Sequence, residues 1–475
     1  MKLSKKGIKR ILLAGSVVLL LFAVIFVVVL LVNGFSGKLT PPPETAKPSG
    51  TSVLLGTPPA SSGTAAPETA APTEEPSTPA PVTYREITLL ASGDITLYKS
   101  IWESAKAYGG GEYDFSELTK YVQDIISSHD YAVANFEGTL TESDYSDYPL
   151  FRVPDNILKT AVGAGFDMML FANNHTYDGG HTGLLRTQQK FAENGLAWIG
   201  TKTEESAKSY GVFDVSGVKI GMLNYTYESP PDYEKDNRTQ KFLNGIRLDL
   251  QDVPLVDSFY EEYLPDFYAE IRERIQEMKQ NGAQLIVVYM HWGNEYENAG
   301  NTLQKTIAQN LCEAGVDLLI GSHPHVIQQV ETFTSSDSTK TMLCYYSLGN
   351  FISVQNRLTF SPQYYDTGFY AENGLLASVT IRQYSTGETV ISKADYVATW
   401  MHRHNVNGRF VFNVVPLAKA LANEEAHTRY GLTESSFGIE HAQAAYEYLT
   451  KLIQPGIDAF NAGVKLPQKD AIPEG

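Results

Sequence analysis

Five times in this 475-residue chain a short, mainly apolar run leads into an aspartate, glutamate, asparagine or histidine. Leu89-Leu90-Ala91-Ser92-Gly93 leads to Asp94, and Ala132-Val133-Ala134-Asn135-Phe136 leads to Glu137. Met168-Met169-Leu170-Phe171-Ala172 leads to Asn173, Asn174 and His175, with Asp178 just beyond. Ile286-Val287-Val288-Tyr289-Met290 leads to His291, followed by Trp292, Gly293 and Glu295, and Val316-Asp317-Leu318-Leu319-Ile320 leads to Gly321-Ser322-His323-Pro324-His325. Runs of this length read as strands buried on both faces, the habit of parallel sheets covered by helices. Open α/β sheets gather their chemistry at the C-terminal ends of such strands. Pro324 stiffens the link between two imidazoles, so the pair can hold metal with little conformational entropy left to lose.

Taken singly, each of these residues has a plainer explanation. Asp94 after a glycine can form a turn, Asn174 can cap a helix, Glu137 can be a solvated carboxylate, His291 can be a satisfied core histidine, and the stretch around His323 and His325 can be a surface turn. Their coincidence at five strand ends of one architecture asks for a shared polar site.

The intervening segments support that architecture. Helical stretches are predicted over 115–127, 154–163, 183–194, 266–280 and 303–313, alternating with strands over 85–91, 131–135, 167–171, 285–290 and 317–320. Such alternation predicts an α/β fold with helices on the sheet faces. Two β-like runs on either side of Ser216-Gly217 predict a hairpin within 212–225, hence a mixed sheet. The polar, poorly periodic segment 228–265 predicts an excursion from the core, with a lid as one reading. Further strands are expected over 342–346, 374–382 and 390–399, and a mainly helical tail over 415–457.

Length and a hydrophobic content of 43% allow one large domain or two ordinary ones plus non-globular parts. The net charge of −17 understates the acidity of the body, because Lys2, Lys5, Lys6, Lys9 and Arg10 crowd the first ten residues. That balance excludes a nucleic-acid partner. Ile11 to Val32 is an apolar run of 22 residues, long enough to cross a bilayer. With the basic cluster before it, residues 1–33 predict a cytoplasmic N-terminus and a single transmembrane signal-anchor helix, with everything after Val32 outside. A long, cleaved signal peptide is the alternative, and it too exports the body. Residues 34–83, rich in Pro, Thr, Ala and Ser, predict a disordered stalk. The folded domain is then placed at 84–400, with a mainly helical C-terminal extension at 401–475. Cys312 and Cys344 are expected to be free buried thiols, and their number rules out a cysteine-rich metal site.

Imidazole with carboxylate and amide oxygens, and no thiolate, suits zinc, manganese, iron or cobalt. The candidates outnumber the ligands of one tetrahedral ion, so two ions sharing a bridging carboxylate is the economical expectation, with His323 and His325 on different ions; a single ion is the alternative. Two ions would acidify a bridging water and clamp an anionic transition state.

Six ordered motifs carry a resemblance: Ser92-Gly93-Asp94, Asn135-Phe136-Glu137, Ala172-Asn173-Asn174-His175 with Asp178 and Gly180, His291-Trp292-Gly293, His323-Pro324-His325, and Tyr346-Ser347-Leu348-Gly349-Asn350-Phe351. In this order they resemble the CapA-type poly-γ-glutamate capsule biosynthesis proteins, which look like relatives of the calcineurin-like metallophosphoesterases. The resemblance implies a four-layer α/β/β/α sandwich of the metallophosphoesterase type. It implies Asp94, Glu137, Asn174, His291, His323 and His325 as ligands of two divalent ions (Mn, Zn or Fe), Glu137 bridging. His175 would be the general acid, with Asp178 beside it. Two positions depart from the phosphoesterase pattern: Asp94-Ile95-Thr96 replaces Asp-x-His, and the bridging carboxylate is glutamate. Asn173, Arg152 and Glu295 are candidate substrate contacts, although an exposed salt-bridge partner is the stronger reading of Arg152 and of Glu295. Asn350 and Gly349 read first as a supporting turn.

The functional expectation is a membrane-anchored, extracellular hydrolase of an amide or phosphoester bond in an anionic cell-surface polymer, such as poly-γ-glutamate or a cell-wall peptide. The rival is a non-catalytic polymer-binding or scaffold subunit of a membrane synthase.

Overall fold

The structure is a computed structural model that describes residues 81–229, 240–356, 370–434, 438–468 and 471–474. The expected membrane helix and nearly all of the expected stalk lie outside the described residues. Among the described residues no helix is long and apolar enough to cross a membrane. Thr78 to Gly475 makes one compact unit.

The fold is mixed α/β, with two large sheets and helices outside them. In the first sheet, Thr83–Ile95 lies beside Tyr131–Phe136, Met168–Leu170 and Ala197–Ile199, all parallel. Its other edge is an antiparallel meander of Asn373–Tyr384, Thr389–Val406 and Arg409–Pro416. In the second, Val218–Tyr227, Leu285–His291, Leu318–Ser322 and Thr341–Tyr345 are parallel neighbours, flanked by antiparallel Gly211–Val215 and Val330–Thr334.

Alternation along each strand decides which core a side chain enters, because successive residues point to opposite faces. Ile87, Leu89 and Ala91 meet Leu285, Val287 and Tyr289 in a core between the two sheets. Leu90, Ala132, Ala134 and Met169 face the other way, onto the helices Lys99–Tyr108, Ile157–Ala164 and Gly180–Glu193. Ile286, Val288 and Met290 likewise face the helices Leu264–Gln280 and Thr302–Glu313. Helix Leu264–Gln280 buries Phe267, Ile271, Ile275 and Met278, an i, i+4, i+8, i+11 stripe suited to covering a sheet. Ile271 is fully buried, so cutting it to alanine would cost about 2–5 kcal/mol. Asn301 and Gln304 form a reciprocal capping box that starts Thr302–Glu313. The long helix Gly438–Gly463 packs Ala442, Leu449, Ile453 and Ile457 into the inter-sheet core and touches Thr389–Val406 and Val330–Thr334, closing that side.

The structure differs from expectation in several elements. The helix expected over 115–127 is a 3-10 turn at Ser116–Leu118 and one short turn at Gln123–Ile126, while Lys99–Tyr108 is a helix whose narrow stripe of Ile101 and Ala105 gave no clear period. Thr389–Val406 runs across residue 400 and pairs with Arg409–Pro416, so helices begin only at Leu417. Within the excursion, the described part holds a small hairpin of Phe242–Leu243 and Ile246–Arg247. Its turn, Asn244-Gly245, has φ of +49° and +74°, the left-handed pair that tight hairpins favour.

Candidate metal centre

The parallel registers bring the polar strand ends to one edge. Asp94 is level with Asn135, and Asn135 with Leu170, just before the Asn173-Asn174-His175 turn. In the facing sheet His291 is level with Ser322. Gly93 makes the first of these turns possible: a Cβ there would stand 1.9 Å from the Gly349 carbonyl, which instead accepts a hydrogen bond from the Asp94 amide at 3.0 Å. Gly321 is equally constrained, since a Cβ would fall 1.9 Å from the Tyr346 carbonyl oxygen and 2.4 Å from the Trp292 indole nitrogen.

Asp94, Glu137, Asn174, His175, Asp178, His291, His323 and His325 are all buried and lie together. Glu137, His323 and His325 each offer a ligand atom, and these atoms lie within 4.8 Å of one another. Glu137 Oε1 is 3.5 Å from His291 Nε2 and 3.8 Å from His325 Nε2. Its other oxygen accepts the Thr96 hydroxyl at 2.8 Å, which orients the carboxylate. Asp94 Oδ2 is 3.3 Å from His325 Nδ1, and Asn174 Oδ1 is 2.8 Å from His291 Nε2. One ion could take Glu137, His323 and His325 together, a closer grouping than the expectation that the two histidines serve separate ions.

The cluster's electrostatics follow from burial and neighbours. Burial pushes His323 well below the ordinary imidazole range, and the adjacent His291 and His325 add to it. Burial would lower His325 too, but the Glu137 and Asp94 carboxylates outweigh it and bring it up to about 10. For Glu137, burial raises the pKa, and His325 with His291 more than offsets this, holding it far below the usual carboxylate range. Glu137 Oε1 and His323 Nδ1 are among the buried atoms of the described residues that have no hydrogen-bond partner. Leaving such atoms unsatisfied costs about 1–3 kcal/mol each. A cation held by both would satisfy them, and by displacing the proton that the carboxylates keep on His325 it would leave a carboxylate with neutral imidazoles, a donor set for zinc, manganese or iron. The residues therefore fit a divalent metal ion.

Beside this cluster His175 Nδ1 meets Asp178 Oδ2 at 2.7 Å. That oxygen also accepts the Phe151 amide at 2.5 Å, and the Phe151 ring packs edge-on against the imidazole at 4.8 Å. Burial lowers the His175 pKa, but hydrogen bonding and attraction to Asp178 raise it overall. Burial also raises Asp178, despite the nearby His175.

The remaining candidates separate. Asn173 is fully buried, donates to the Phe136 carbonyl at 2.7 Å and accepts the His175 amide at 3.1 Å. It holds the turn that presents Asn174 and His175, so its amide faces the protein rather than a substrate. Glu295 is exposed, and its charge acts on Tyr227, Tyr296 and Tyr98 around the cleft. Arg152 lies outside the cluster, its Nε donating to Ser146 Oγ at 3.0 Å.

Several contributors were not singled out from the sequence. Asn135 donates to Asp94 Oδ1 at 2.8 Å, and Ser322 Oγ is 3.0 Å from His291 Nδ1. Both sit in the quoted strand ends, which was the available clue. Tyr227 packs on His323 at 4.6 Å, and Asn244 approaches His175 Nδ1 at 3.4 Å. Asn350, read from the sequence as part of a supporting turn, places Oδ1 3.0 Å from His325 Nδ1. Cys312 and Cys344 are free and buried, as expected.

Residues 88–355, more than half of the chain, match the family model for the bacterial capsule synthesis protein PGA_cap. The capsule biosynthesis protein CapA of Bacillus anthracis is 28% identical over 286 residues, covering 58% of this chain and 62% of that protein. The PGA biosynthesis protein CapA of Bacillus subtilis (strain 168) is 28% identical over 286 residues, covering 58% of this chain and 67% of that protein. A structure of the sulfate thiohydrolase SoxB from Thermus thermophilus with glycerol aligns at 11% identity and a TM-score of 0.33, covering 78% of this chain and 61% of that one. This last likeness is too slight to bear on the fold.

Proposed function

This chain belongs to the bacterial capsule synthesis protein PGA_cap family, and from that premise we propose that it is a metal-dependent hydrolase acting in the synthesis, export or processing of an anionic capsule polymer. The name of the Bacillus subtilis relative, PGA biosynthesis protein CapA, suggests poly-γ-glutamate, and a cell-wall peptide shares the same amide chemistry. The fold in this reading is a four-layer α/β/β/α sandwich of the metallophosphoesterase type. Residues 11–32 would anchor the chain in the cell membrane in a single pass, 34–83 would be the stalk, and the folded body would work outside, alone or beside membrane synthase subunits.

The observation that carries the proposal is the buried group Glu137, His323 and His325, with Glu137 Oε1 and His323 Nδ1 lacking partners. Asp94, Glu137, Asn174, His291, His323 and His325 would hold two divalent ions, Glu137 serving both. When bound, the ions would supply Lewis acidity and a water acidified towards hydroxide. His175 would hold the proton for the leaving group, an amine or an alkoxide. Asp178 would fix its ring through Nδ1 and keep it protonated to higher pH. Asn173 would hold the turn that carries both Asn174 and His175.

The test is hydrolysis of oligo-γ-glutamate and of a phosphodiester by the purified chain loaded with Mn, Zn or Fe. The proposal expects one substrate to be cleaved and His175→Ala to lose at least about a hundredfold in rate, the usual weight of a general acid. No cleavage of either, with His175→Ala still supporting capsule production in cells, would sink it and favour the scaffold reading. That second reading has its own observation: Thr96, not histidine, follows Asp94-Ile95, and it occupies one Glu137 oxygen.

A further inference from the structure

The loop from Glu142 to Arg152 and the start of helix Lys99–Tyr108 enclose a groove of about 360 Å³ on the outside of the segment that packs over His175. Lys99, Trp102, Tyr145, Asp147, Tyr148 and Arg152 line it. Two of these are cations, in a chain of net charge −17. Among the described residues Arg152 forms no ion pair, and its Nε is engaged only by the Ser146 hydroxyl. Lys99 Nζ comes no nearer than 3.7 Å to Glu103 Oε1, with both side chains more than half exposed, an arrangement that contributes little. Asp147, the one acid in the groove, accepts the Lys99 backbone amide at 3.1 Å. Trp102 keeps its indole N–H closed from water with no hydrogen-bond partner, and Tyr148 is 73% exposed.

The groove is tied to the metal centre by adjacent residues. Phe151 precedes Arg152 and packs on His175, and Tyr98 precedes Lys99 and packs on Phe151 at 5.0 Å. Gln355 Nε2 donates to the Tyr98 hydroxyl at 2.9 Å, and Gln355 Oε1 accepts from Asn350, whose own oxygen meets His325. Because side chains alternate along an extended segment, Phe151 faces the dyad while Arg152 faces the groove. The cations therefore flank the reacting position instead of lining it.

We infer that this groove is a flanking subsite for an anionic polymer, in which Arg152 and Lys99 bind carboxylates of a repeat unit near the one held at the metal centre. This rests on the hydrolase proposal only for the identity of the neighbouring site. Guanidinium and ammonium groups form charge-assisted hydrogen bonds with carboxylate, and the flanking rings cover the aliphatic part of a repeat. Binding energy from such a remote unit serves to place the bond that reacts.

The experiment measures binding of oligo-γ-glutamate to the purified full chain by calorimetry, with the amidated, uncharged oligomer and polyphosphate as comparisons. Arg152→Gln and Lys99→Gln are each expected to weaken oligo-γ-glutamate binding about tenfold, with metal content unchanged, and raised salt to weaken wild-type binding. Arg152→Lys should restore most of the affinity, which a merely structural role for Arg152 would not predict. The uncharged oligomer should not bind. Polyphosphate binding tighter than the oligo-γ-glutamate, or a double variant with wild-type affinity and KM, would overturn the inference while leaving hydrolysis intact. Arg152-dependent binding without any cleavage would uphold it and defeat the hydrolase proposal.

Discussion

Asp178→Asn probes the pairing that would make His175 a usable acid. In the native chain burial works against an imidazolium at His175, and Asp178, 2.7 Å away, more than compensates, so the pKa lies above the ordinary 6.5. The substitution is nearly isosteric. An asparagine can place its carbonyl where Oδ2 accepts from both His175 and the Phe151 amide, and its NH2 where Oδ1 already has no partner. What disappears is the charge. Hydrogen bonds to charged groups contribute about 1.5–3 kcal/mol, and this one favours the imidazolium, so His175 should titrate at lower pH in the variant than in the native chain. The sign is fixed by linkage: a raised folded-state pKa means stability that is fully present below 6.5 and lost as pH rises through the folded value. The variant should lose that increment, and any rate that needs imidazolium should fall off at lower pH. Nuclear magnetic resonance titration of the His175 ring reads this without an activity assay. A variant in which His175 titrates at or above its wild-type value would refute the reasoning.

Gly321→Ala should lower unfolding stability by about 2–5 kcal/mol in urea titrations, because the new Cβ collides with the Tyr346 carbonyl and disrupts its 2.9 Å bond from Trp292. Asn173→Ala should cost about 2–3 kcal/mol, since the Phe136 carbonyl and the His175 amide both lose a buried partner; unchanged stability would return Asn173 to the list of substrate contacts. Cys312, its thiol pushed up to about 11 by burial, and the fully buried Cys344 should resist a thiol reagent at pH 8 in the native chain and react promptly once it is unfolded. Absence of free thiol after unfolding would contradict this.

Much of the centre was legible because the strands that carry it are buried on both faces. An apolar run such as Ile286 to Met290 has no polar face to blur its end, so His291 stands out where the strand stops. Parallel pairing then brings those ends level, which turns five separate hints into one cluster. What the sequence hid was register and contact between distant segments. That Asn350 reaches His325, that Asn244 reaches His175 and that Phe151 walls the dyad depend on how loops close over the strand ends. Asn173 and Asn174 are indistinguishable as neighbouring amides, yet one holds the turn and the other faces His291. The last strand of the antiparallel edge was missed for a different reason: Arg409–Pro416 leads straight into helical sequence, and its pairing with Thr389–Val406 is long relative to the hints at its ends.

The central claim is that the buried strand-end cluster holds divalent metal. Elemental analysis of the purified chain after metal loading and exhaustive dialysis tests it most directly, alongside Glu137→Gln and His323→Ala. The account predicts between one and two tightly held ions per chain in the wild type and loss of at least one of them in either variant. A wild-type chain that retains none after loading, and that matches both variants, would contradict it.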